Sequence, residues 1–142
     1  MELVAYLDTS VLLRALFEEA QMIVGLESEL KYAVSSSIFK VECLRTLDRM
    51  QKTSERKFEE AFSERRARLY SFFKKIDFIP VSQDVLDEAS KPLSVQVKTL
   101  DAIHIASATL WQRSERSSLV FLTHDKGLAR AAQSTGLKVL GC

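Results

Sequence analysis

The chain has 142 residues, of which 46% are hydrophobic and 27% charged, with a formal net charge of +1. That length fits one domain, residues 1–142, with a real buried core, and the balance excludes wholesale disorder. No apolar run approaches the roughly 18 residues that span a bilayer, an acidic start without a basic n-region argues against a secretory signal, and Cys43 and Cys142 are too few for a disulfide framework or a zinc site. A cytoplasmic, reduced setting follows, with Cys43 read as a small core residue.

Leu3–Leu7 is a short apolar run stopped by Asp8-Thr9-Ser10, which reads as a buried strand feeding a helix whose cap is Asp8, Thr9 or Ser10. Helical spacing follows at Val11, Leu12, Ala15 and Leu16, then at Met22, Ile23, Leu26 and Leu30. Tyr32-Ala33-Val34 is a second strand. The serines at 35, 36 and 37 stop it and supply N-caps for a helix carrying Ile38, Val41, Leu44, Leu47 and Met50. A long helix is predicted over 54–76, with Phe58, Phe62, Leu69, Phe72, Phe73 and Ile76 on its apolar face. Residues 77–81 form a third strand, placed at an edge by Pro80.

A helix is predicted around 83–90, and another from Thr99 through Ile103, Ala106, Ala108 and Leu110. Residues 119–123 form a fourth strand, 126–134 a helix punctuated by Gly136, and Lys138-Val139-Leu140 a last strand. Nearly continuous apolar strands alternating with helices indicate an α/β fold: a three-layer α/β/α sandwich around a central, mostly parallel sheet. The helical pair at 37–76 is expected to protrude from it.

Charge is unevenly spread. Residues 1–30 carry one basic side chain, Arg14, against six acidic ones, whereas residues 31–75 carry twelve basic against six acidic. A basic middle suits a phosphate-bearing partner, although solvated helix faces explain it equally well.

In an open parallel sheet, ligands bind outside the carboxyl ends of the strands, where the strand order reverses. Asp8 closes the first strand, and Asp125 lies just past the fourth. Asp101 sits in the first turn of a helix running back to the fourth strand, so that turn shares the edge with Asp8. Glu42, about two turns into the helix after the second strand, needs its long side chain to reach there. Two unit charges about 5 Å apart at an effective dielectric of about 20 repel by about 3 kcal/mol. Four such groups together therefore call for cations or protons. Oxygen donors suit Mg²⁺ or Mn²⁺, ions able to activate water for phosphodiester hydrolysis. Taken singly, Asp8 and Asp125 are also explained as helix caps, Asp101 as a first-turn carboxylate favoured by the helix dipole, and Glu42 as a solvated helix residue.

Four segments, Tyr6–Leu12, Val41–Leu47, Leu100–Ala108 and Leu122–Ala132, resemble in order the four acidic motifs of PIN-domain nucleases. The length and helical pair look like the VapC toxins of type II toxin–antitoxin systems. The resemblance implies an endoribonuclease acting on RNA, frequent homodimers and neutralisation by a cognate antitoxin. It implies that Asp8, Asp101 and Asp125 carry the metal. Glu42 then acts through a water on the metal or orients the attacking one, and Thr123 matches a position where a hydroxyl stands near the site.

His104 reads as packed or capped rather than catalytic, and alternation points His124 away from its neighbours. Trp111 reads as packing. Arg14, Arg45, Arg49 and the 65–68 run are phosphate contacts or solvated residues. Two other classes stay open: a phosphatase or phosphotransferase with Asp8 as nucleophile, for which a second aspartate two residues on is replaced by Ser10, and a non-catalytic binding module.

Overall fold

The computed structural model describes residues 3–17, 30–53 and 59–141. Five strands, β1 (Leu3–Leu7), β2 (Leu30–Ser36), β3 (Ile76–Ile79), β4 (Leu119–Leu122) and β5 (Lys138–Leu140), alternate with helices. These helices are α1 (Thr9–Phe17), α2 (Ile38–Thr53), α3 (Glu59–Phe73), α4 (Gln83–Ala89), α5 (Thr99–Glu115) and α6 (Lys126–Ser134). The strands form one sheet in the order β3-β2-β1-β4-β5, and every pair is parallel.

Alternation along β1 explains the layers. Ala5 and Leu7 face a core built with Val11, Leu12 and Leu16 of α1, Phe39, Cys43 and Leu47 of α2, and Phe62, Leu69 and Phe73 of α3. Val4 and Tyr6 face the opposite core, with Ile105 and Ala108 of α5 and Leu128, Ala131 and Ala132 of α6. Sinking a large apolar side chain such as Leu47 or Phe121, both fully buried, contributes roughly 1.5–3 kcal/mol each. Cys43 is buried in the first core, and Trp111 packs edge-on against Tyr32 beside the second.

Several boundaries differ from the sequence reading. Leu30 begins β2 rather than ending a helical stripe, and Met22, Ile23 and Leu26 lie outside the described residues. Ser35 and Ser36 belong to β2, and only Ser37 turns the chain. The Ser36 hydroxyl accepts the Ile38 amide while Ser37 bonds the Ile79 carbonyl. The helix expected over 54–76 ends at Phe73, and Ile76 opens β3, because its side chain completes the first core. Residues 54–58 lie outside the described set. β3 is an edge strand, as Pro80 requires, but it stops before that proline.

The topology fixes where a site can be. From β1 the chain moves outward to β2 and β3, then crosses to β4 and β5 on the other side of β1. Strand order thus reverses between β1 and β4, and their carboxyl ends open the crevice that such sheets use.

Candidate active site

Asp8 is the first residue past β1 and stays in the ladder, its amide donating to the Leu122 carbonyl at 3.0 Å. Its side chain is buried, at 6% exposure. Oδ2 accepts the hydroxyls of Ser10 at 2.6 Å and Thr123 at 2.8 Å. The Ser10 hydroxyl also takes the His124 amide at 3.0 Å, and Thr123 takes the Asp125 amide at 3.0 Å. Two short hydroxyl side chains therefore tie the end of β1 to the end of β4.

Asp125 is the N-cap of α6, and its Oδ1 accepts the Leu128 amide at 3.1 Å. The capping reading is thus correct, yet it occupies one oxygen only. Glu42 is the fifth residue of α2 rather than two turns in, so it stands nearer the edge than expected. Its Oε1 accepts the Thr9 hydroxyl at 3.2 Å and meets His104 Nε2 at 2.5 Å. Asp101 is the third residue of α5 and half-buried; the helix cap, Lys98, supplies no side-chain bond.

The electrostatics place the four acids in one neighbourhood. Burial raises the Asp101 carboxyl above its ordinary value, and the charges of Asp8 and Asp125 and, more weakly, Glu42 add to that, against an opposing pull from His104. Among the described residues, none of the four is paired with a lysine or arginine. Their partners are hydroxyls, amides and one imidazole.

Asp101 and Asp125 line a cavity of about 250 Å³ together with Gln96, Val97, Lys98 and Leu128. Asp8 and Glu42 do not line it. A larger cavity of about 710 Å³ lies between α4, α5 and the end of β3, and holds none of the four acids. Chemistry outranks size here, because the smaller cavity, between the start of α5 and α6, is the one that two of the four carboxylates line.

A model of the PIN domain family matches residues 5–134. The chain belongs to the PIN-domain family. Its backbone is similar to that of VapBC2 from Rickettsia felis, solved bound to a DNA fragment from its promoter, at TM-score 0.69 and 14% identity over 98% of each chain. It is also similar to a toxin–antitoxin complex from Klebsiella pneumoniae, at TM-score 0.61 and 22% identity over 88% of this chain and 90% of that one. A comparison with curated proteins gave no match.

PIN-domain nucleases generally depend on a divalent metal. The donor set of this PIN domain fits one: hard oxygens, none of them ion-paired with a lysine or arginine among the described residues. Among the described residues, no three histidine, cysteine, aspartate or glutamate side chains converge tightly enough to enclose an ion. The set is open rather than a closed cage. That suits a cation such as Mg²⁺, which keeps much of its water and takes only one or two carboxylates directly.

Sequence reasoning read His104 as a packed residue. It is fully buried, but it bonds Glu42 on one side and Tyr6 on the other. The sequence offers Thr9 and Ser10 only as caps, with Ser10 also standing where a second aspartate is absent. The signal for both was their place directly after an aspartate that ends a strand. His124 turns away and meets the Gly141 carbonyl through Nδ1. Of the arginines read as phosphate contacts, Arg45 pairs with Asp48, Arg66 reaches Gln51, and Arg65 lies over Phe62. No helix among the described residues is long and apolar enough to cross a membrane.

Proposed function

We propose that this PIN-domain protein is a Mg²⁺- or Mn²⁺-dependent endoribonuclease, with Asp8, Asp101 and Asp125 as metal ligands and Glu42 as the group that orients water. One observation carries the reading: the Thr123 hydroxyl ties Asp8 to the Asp125 amide, Asp125 and Asp101 line one cavity, and none of these acids is ion-paired with a lysine or arginine among the described residues. A charge deficit of this kind at a sheet switch point is what a bound divalent ion relieves. When bound, the ion supplies positive charge that activates water and offsets charge building on the phosphate oxygens.

The chain's own groups do the positioning. Ser10 and Thr123 hold Asp8 Oδ2, leaving Oδ1 without a hydrogen bond among the described residues. The Leu128 amide holds Asp125 Oδ1, leaving Oδ2. Thr9 and His104 hold Glu42 Oε1, leaving Oε2 to accept a proton from water or to aim it. Each anchored acid therefore keeps one oxygen for the site.

A toxin role, with a cognate antitoxin as inhibitor, is supported by the likeness of fold to the two toxin–antitoxin structures. Val41 and Leu100 are 60% and 47% exposed beside Glu42 and Asp101. Apolar groups around a polar site suit a protein that covers it. A homodimer acting in the cytoplasm, built on one domain, completes the proposal.

Cleavage of total RNA with Mg²⁺, with Mn²⁺ and with chelator tests the chemistry. Asp8→Asn and Asp101→Asn should abolish metal-dependent cleavage while circular dichroism stays that of the parent. Unchanged turnover in either variant at saturating Mg²⁺ would remove the site. Expression alone should arrest growth, and the Asp8→Asn form should not.

A further inference from the structure

We infer that Tyr6 and His104 are positioning residues: a buried hydrogen-bonded chain from β1 through α5 that fixes the imidazole tautomer and aims Glu42. This rests on the catalytic reading of Glu42 above. The geometry carries it in three steps. Tyr6 and His104 are both fully buried, and the Tyr6 hydroxyl lies 2.6 Å from His104 Nδ1. His104 Nε2 lies 2.5 Å from Glu42 Oε1. The Ser36 amide donates to the Tyr6 oxygen at 3.2 Å.

Proton placement follows. A carboxylate accepts only, so His104 Nε2 carries the proton donated to Glu42. The Tyr6 oxygen already accepts the Ser36 amide, and a phenol is protonated at neutral pH, so it has its own proton to give. The neighbouring hydroxyls of Ser35 and Ser107 spend their protons on the Leu7 and Ile103 carbonyls. With the ring proton on Nε2, Nδ1 is an acceptor only, and at 2.6 Å it is the hydrogen-bond partner of the Tyr6 hydroxyl, so the Tyr6 proton goes to Nδ1. The chain reads Ser36 N–H to Tyr6 oxygen, Tyr6 O–H to Nδ1, and Nε2–H to Glu42 Oε1.

The consequence is mechanical as well as electrostatic. Glu42 projects from α2, which packs on one face of the sheet, and His104 from α5, which packs on the other. Their bond crosses the carboxyl edge of the sheet and sets the carboxylate against both layers. Thr9 adds a second donor to the same oxygen. With Oε1 held twice, rotation of the carboxyl is restricted and Oε2 faces one way. Partners that orient an active-site group in this manner are commonly worth 10- to 100-fold in activity when removed, by analogy with outer-shell ligands.

Two measurements test it. Nitrogen-15 spectra of the parent protein, with the His104 ring assigned, should show Nε2 protonated and Nδ1 bare; a proton on Nδ1, alone or together with Nε2, overturns the chain. In RNA cleavage at saturating Mg²⁺, His104→Leu should lower kcat by about 10- to 100-fold with KM changed less than about twofold. Combined with Glu42→Gln, it should cost no more than Glu42→Gln alone. Multiplicative losses in the double variant would show that His104 acts elsewhere and overturn its role on Glu42. Full turnover by Glu42→Gln alone would overturn the catalytic reading instead, a result separable from the tautomer spectrum.

Discussion

The Thr123 hydroxyl donates to Asp8 Oδ2 at 2.8 Å and accepts the Asp125 amide at 3.0 Å, so one small side chain links two acids more than a hundred residues apart. Thr123 is fully buried, and valine would fill its volume without its hydroxyl. Thr123→Val should then strand the Asp125 amide and half-release Asp8. We expect a loss of roughly 1–3 kcal/mol in stability and about 10- to 100-fold in divalent-ion affinity, measured by denaturant melts and calorimetry. Thr123→Ser should stay within a few-fold of the parent. Equal affinity for valine and threonine would contradict a linking role.

Gly127 is the second residue of α6, and a Cβ built there would stand 3.3 Å from Asp125 Oδ1, the oxygen that caps the helix. Alanine favours a helix over glycine by up to about 1 kcal/mol, so crowding and propensity oppose each other in stability. They do not oppose each other at the site. Gly127→Ala should leave Tm within a few degrees and weaken Mn²⁺ binding severalfold by displacing the Asp125 carboxyl. Binding as tight as the parent's would show that Asp125 has slack.

Asp101 gives a pH-dependent prediction. Its carboxyl holds its proton more tightly in the folded protein than in the unfolded chain, through burial first and then Asp8 and Asp125. For a raised value, the stabilisation is present below the unfolded carboxyl pKa and is lost as pH rises through the folded one. Without metal, the protein is therefore penalised at neutral pH. Asp101→Asn should raise the metal-free Tm at pH 7. The gain should vanish under acid conditions, where Asp101 is protonated in both states, and the variant should lose most of the stabilisation by Mg²⁺. A drop in metal-free Tm at pH 7 would contradict this balance of charge.

How much of this was readable beforehand depends on which forces set each feature. The layers and most strands were legible because β1, β2 and β4 are short apolar runs, and a parallel sheet covered on both faces leaves that trace. The position of Asp8, Asp101 and Asp125 was legible for a related reason: each adjoins an element boundary that the apolar pattern marks. Boundaries set by tertiary packing were not. Ile76 fits a helical stripe by spacing, yet the first core takes it into a strand, and Ser35 and Ser36 are polar enough to end β2 but are buried within it. His104 illustrates the limit most clearly. On spacing alone it is one more inward position of α5. Its meaning comes from Tyr6, 98 residues away in sequence, and Glu42, 62 away, and no local pattern encodes those distances.

In the proposed site Asp8, Asp101 and Asp125 hold one divalent cation, and Glu42 acts on its water. Titration of the metal-free protein with Mn²⁺, read by paramagnetic broadening of assigned amide signals, tests it most directly. Broadening should centre on residues 8–10, 99–102 and 123–127 at sub-millimolar to millimolar Mn²⁺, compete with Mg²⁺, and disappear in Asp8→Asn and Asp101→Asn. Broadening centred elsewhere, or undiminished in both variants, would contradict the account.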